Sequence, residues 1–143
     1  MYIIGIDCGV RTGFAVWDSD KQQLIAARTY KIHQAIDTVK DLRKRHDIKV
    51  IVEDARQRKW IPRERTFGEL KGRAQGAGSV KRDASIWEDL LEDYGIPYEM
   101  QPPKRGLTKW TADEFKAVTG WRERTSEHAR DAALLVIGRH DRL

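Results

Sequence analysis

Two short runs of apolar, mostly β-branched residues limit what this chain can fold into more than any other feature. Tyr2–Asp7 reads YIIGID and residues 49–53 read KVIVE. Both are too short for a typical helix and rich in Ile or Val, which marks buried strands. Each ends in a carboxylate. The surrounding segments supply partners for a sheet. Gly9 and Gly13 bracket a turn, and residues 14–18 then read as a hairpin partner of the first strand. Gln23–Tyr30 reads as a third strand. Residues 32–46 place Ile32, Ala35, Ile36, Val39 and Leu42 at helical spacing.

Beyond the acid-tipped second run, residues 56–66 are polar and basic and contain Pro62, which predicts a loop. Residues 67–94 carry Phe67, Leu70, Ala74, Ala77, Val80, Ala84, Trp87, Leu91 and Tyr94 in steps of three and four, one long helix stopped by Gly95. Residues 97–101 form a fifth strand, and helices over 111–119 and 126–140 follow. The order β-β-β-α-β-α-β-α-α is an antiparallel meander followed by αβ crossovers. It predicts an α/β domain spanning residues 1–143 around a mixed sheet, not a doubly wound dinucleotide fold.

Charge is unevenly distributed along this chain. The net charge is +5, but between Arg56 and Arg82 nine Lys or Arg face two Glu, a local +7, whereas residues 83–101 hold six acids and no base. One face is thus expected to meet a polyanion. Cys8 is the only cysteine, so no intrachain disulfide can form, and no apolar run approaches the roughly 18 residues of a membrane span. These features predict a cytoplasmic protein with no membrane partner.

Asp7 and Glu53 both end strands expected to be neighbours, at the sheet edge where open α/β sheets bind ligands. Two acids held side by side raise each other's pKa unless a cation neutralises them. His128 and Asp131 are three apart on one predicted helix and so share a face. If the start of that helix crosses the strand ends, Asp7, Glu53, His128 and Asp131 converge. Carboxylate oxygens with one imidazole suit Mg²⁺ or Mn²⁺ better than zinc. Acids around two such ions about 3.5–4 Å apart are apparatus for phosphodiester cleavage. His128 could hold metal or act as general base, and the spacing leaves both open.

These residues carry a resemblance. IIGIDCGVRTGFAVWD resembles the opening G-I-D-x-G-x-x-x-T-G of RuvC-type Holliday-junction resolvases, VIVED their second acidic strand, and HARDAALLVIG their last helix with its two metal positions three apart. GRAQGAG, which contains Gly72 and Gly76, resembles the stretch where that family dimerises. The turn after Asp7 is one residue shorter than the usual pattern, and Cys8 stands where Pro is common; Cys8 should face away from Asp7. The resemblance implies a ribonuclease-H-like fold with strand order 3-2-1-4-5. It also implies two Mg²⁺ (or Mn²⁺) per site and paired nicking of a four-way DNA junction by a homodimer. The short chain is closest in kind to phage members, placing it in a bacterial or phage-infected cell.

Substrate contacts are expected after Glu53, where Arg56, Arg58, Lys59, Arg63 and Arg65 surround Trp60. Basic side chains neutralise phosphates, and an exposed Trp stacks on an unpaired base. Trp60 is either such a wedge at the branch point or a packing residue. Lys104 and Lys109 either align loosely with family lysines that touch the scissile region or are an ordinary solvated pair. Gly68, Gly72 and Gly76, four apart on the long helix, form a smooth ridge suited to a symmetric helix pair, to packing on the sheet, or to DNA. Two other readings share these residues: a ribosomal-RNA-processing nuclease of the YqgF type, and a non-catalytic module that binds branched DNA. Asp7, Gly9 and Gly13 also match the phosphate-binding start of actin-like kinases. That fold needs a second domain, so no nucleotide cofactor is expected.

Overall fold

The structure, a computed structural model, describes residues 1–57, 67–103 and 109–141, with the backbone alone for 67–77. The strands are β1 (Tyr2–Asp7), β2 (Thr12–Asp18), β3 (Gln23–Tyr30), β4 (Ile48–Glu53) and β5 (Tyr98–Gln101). They form one five-stranded sheet in the order β3-β2-β1-β4-β5. β1 runs antiparallel to β2 and parallel to β4, so the sheet changes sense at its central strand. The α/β architecture, its mixed sheet and its order are those anticipated above.

Strand alternation sends successive side chains to opposite faces, and a separate core forms on each. Ile4, Ile6, Phe14, Val16, Val50 and Val52 pack with Ala35 and Val39 of α1 (Ile32–Arg45) and with Ala84, Trp87 and Leu91 of α2 (Phe67–Asp93). Ile3, Ala15, Trp17, Ala27 and Ile51 pack on the other face. Their partners are Phe115 of α3 (Ala112–Thr119) and Ala129, Ala132 and Ala133 of α4 (Glu127–Leu134). Cys8 belongs to the first core, away from α4, as anticipated. Among the described residues no helix is long and apolar enough to cross a membrane.

The α4 side of the sheet is built to let a helix lie close. A methyl group on Gly5 would stand 2.2 Å from the Ala132 carbonyl oxygen, and one on Gly13 would stand 2.0 Å from that of His128. Neither position admits a side chain without moving the helix backbone. Ser126 caps α4 by accepting a hydrogen bond from the Ala129 amide at 3.0 Å, and its hydroxyl is also hydrogen-bonded to Thr29 of β3.

One expectation needs correction. The last helix ends at Leu134, not at residue 140, and tightens into turns with Leu135 and Val136 bonded three residues back, to the Ala132 and Ala133 carbonyls. Tertiary contacts draw the chain off the helical path. Arg139 reaches Glu99 at 2.8 Å and Asp141 reaches Lys49 at 2.6 Å, across β5 and β4. The Arg139 carbonyl accepts from Trp17 Nε1 at 3.1 Å.

Candidate active site

Register puts one residue from each strand into a single row at the C-terminal edge of β1, on the α4 face. Gln101 pairs with Glu53 and Asp7 with Gly13, which pairs with Thr29. The β1–β4 register, continued one step past Ile6 and Val52, sets Asp7 beside Glu53. Two acids thus occupy the centre of the row. Glycine follows on β2, leaving space for the start of α4.

That start carries the other two candidates. His128 Nδ1 lies 3.4 Å from Asp7 Oδ2. Asp131, one turn on, is largely buried and sits 3.4 Å from Lys109 Nζ, which also holds Glu127 at 2.5 Å. Asp7, 15% exposed, has its carboxyl pushed up to about 8. Burial is the main cause; the fields of Glu53 and Asp131 add to it, Lys109 opposes it and Glu127 contributes least. Lys109 holds Glu127 below the ordinary carboxylate range, and Glu127 in turn raises Lys109.

Asp7, Glu53, His128 and Asp131 therefore come to one edge on one face. The donor chemistry, three carboxylates and an imidazole, fits a hard divalent cation, and a cation there would offset both the burial and the neighbouring acids that raise the Asp7 carboxyl. Among the described residues no group of three or more His, Cys, Asp or Glu is gathered so as to hold a metal ion as it stands. Among the described residues the Lys109 ammonium lies within this cluster, against Glu127 and Asp131.

The acid next to Glu53 has a different use. Asp54 is buried on the opposite face and takes Arg56 through Nε at 2.8 Å and Nη2 at 2.9 Å. Burial alone would raise the Asp54 carboxyl, but Arg56 and Gln57 outweigh it and hold it below its ordinary value. Arg56 also reaches Glu88 of α2 at 3.0 Å, so its guanidinium ties the end of β4 to the long helix. Of the other proposed DNA contacts, Arg58, Lys59, Trp60, Arg63, Arg65 and Lys104 lie outside the described residues. The surroundings of Gly68, Gly72 and Gly76 on α2 lie outside them too.

Several residues at this edge escaped the sequence reading. Arg11 in the β1–β2 turn, Lys31 just after β3 and Arg124 just before the α4 cap are all exposed. They stand on the β3 side of the acids. Gln101 was read only as the end of a strand. Counting strand ends against the expected sheet order would have placed it beside Glu53. No protein-family model matches this chain, and no curated protein sequence matches it either.

Proposed function

We propose that this chain is a divalent-cation-dependent endonuclease for branched DNA, of the RuvC resolvase kind, with Asp7, Glu53, His128 and Asp131 as its site. The observation that carries the reading is their convergence: two adjacent strand ends and the first turn of α4 bring these side chains to one edge of the sheet. Asp7, Glu53 and Asp131 are the residues that would hold Mg²⁺ or Mn²⁺. Bound there, the ions would supply a polarised water and neutralise the charge that develops on the leaving 3′ oxygen.

The remaining roles fall to the chain itself. Asp7 turns the His128 ring by its Nδ1, which leaves Nε2 as the nitrogen free to take a proton from an attacking water. Lys109, held on Asp131 and Glu127, is placed to meet a phosphate that enters beside those acids. The described residues provide one such cluster per chain, so paired nicks in a four-way junction call for two copies related by a two-fold axis.

The test is a nicking assay in Mg²⁺ with a four-way junction, a Y-fork, linear duplex and structured RNA. The junction should be cut in preference to the linear duplex. Asp7→Asn should abolish cutting while still binding the junction. Full cleavage by that variant sinks the mechanism; cleavage of the RNA alone moves the function to RNA processing; binding with no nicking by the wild type makes the protein a recognition module.

A further inference from the structure

Among the described residues three buried side-chain polar atoms have no hydrogen-bond partner: Trp87 Nε1, Trp121 Nε1 and Gln101 Oε1. The first two are indole N–H groups set among apolar side chains. Gln101 differs in chemistry and in position. Its free atom is an acceptor, and it ends β5 in register with Glu53, on the face and at the edge where the acids gather. The face follows from its neighbours on β5. Tyr98 and Met100 pack into the α1–α2 core, while Glu99 meets Arg139 and Lys49 on the α4 side, so Gln101 shares that side.

A shielded acceptor without a donor is costly to a fold, and an apolar residue of the same shape would avoid the cost. A donor that arrives only in the working state removes the discrepancy. Mg²⁺ and Mn²⁺ prefer oxygen ligands, and Mg²⁺ in particular gives up its waters reluctantly, so an ion held by a few carboxylates keeps several waters whose protons need acceptors nearby. A neutral amide meets that need without adding a further negative charge to the crowd around Asp7.

We propose that the Gln101 carboxamide is a positioning residue of this site. Its Oε1 accepts a hydrogen bond from water carried by the cation bound at Glu53, and so fixes where that cation sits. The assignment rests on the nuclease reading and deepens it. Two variants separate it from a structural role: Gln101→Met keeps the length and removes the acceptor, and Gln101→Glu keeps an acceptor oxygen in the same place.

Mn²⁺ binding is measured without DNA by electron paramagnetic resonance, together with thermal unfolding in chelator. For Gln101→Met we expect Mn²⁺ affinity about tenfold weaker, the usual loss for an outer-shell partner, and a metal-free melting temperature equal to or above wild type. Gln101→Glu should bind Mn²⁺ at least as tightly as wild type. Wild-type affinity in Gln101→Met overturns the assignment and leaves the nuclease reading intact. Equal loss in both variants with lowered melting temperatures assigns Gln101 to the fold and overturns it as well. If wild type binds no Mn²⁺ that Asp7→Asn removes, the nuclease reading falls and the assignment falls with it.

Discussion

Removing the charge from Asp7 should stabilise this protein, and by an amount that grows with pH. A carboxyl at about 8 in the folded state and at its ordinary 3.8 in the unfolded state binds a proton in the fold that it lacks in the unfolded chain across the interval between them. The unfolded state therefore binds fewer protons, and stability falls as pH rises through that window. The Asp7 contribution is most favourable below about 4 and is lost by about 8. From pH 5 to 8 the span is three units, an upper bound of about 4 kcal/mol at about 1.36 kcal/mol per unit. Solvent at the partly open carboxyl and adjustment of Lys109 reduce this to about 2 kcal/mol. The assay is urea unfolding of wild type and Asp7→Asn in chelator at both pH values. Groups that titrate alike in the two proteins cancel in the double difference. The advantage of Asp7→Asn should be larger at pH 8 by about 2 kcal/mol. An advantage equal at the two pH values, within about 0.5 kcal/mol, would refute the claim that burial and the neighbouring acids hold Asp7 protonated in the fold.

Three further outcomes follow from the geometry. Gly13→Ala forces a methyl group against the His128 carbonyl; it should cost roughly 1–3 kcal/mol in unfolding experiments and reduce nicking far more than DNA binding, because it moves the residue that faces Asp7. Arg56→Ala strands the buried Asp54 carboxylate and should destabilise by roughly 3 kcal/mol, while leaving the salt dependence of junction binding unchanged if the guanidinium is a brace and not a phosphate contact. Replacing Arg11, Lys31 and Arg124 together with Ala should lower the slope of log binding constant against log salt by about 2–3, near 0.9 per phosphate contact, with the thermal midpoint unaltered.

The sheet was legible because its strands announce themselves twice, in alternation and in their punctuation by glycine. Tyr2–Asp7 and Gln23–Tyr30 have the predicted bounds, and the meander-then-crossover order agrees with the observed sheet. The four central candidates could be named because strand ends and an i, i+3 helix pair are local patterns. What stayed hidden depends on contacts distant in sequence. The end of α4 is set by Arg139 and Asp141 reaching β5 and β4, a pull that helical periodicity cannot register. The pairing of Arg56 with Asp54 and Glu88 was not legible because those acids belong to a strand end and a helix brought together by the fold. Gln101 went unnoticed because a glutamine at a strand end carries no motif, and its meaning depends on which residue the next strand sets beside it.

The seating of α4 on Gly5 and Gly13 also has a bearing on timing during synthesis. Asp7 and His128 are 121 positions apart in the chain, and contacts of such long sequence separation form slowly, after local hairpins and helices. A ribosome-bound chain can pair β1 with β2 and β3 long before the residues of α4 have been made. During that interval Asp7 stands at a strand end with neither His128 nor Asp131 above it. Under the proposed activity a partly made chain would carry no competent cutting centre, and hydrolytic capacity would appear only when the last helix settles onto the two glycines.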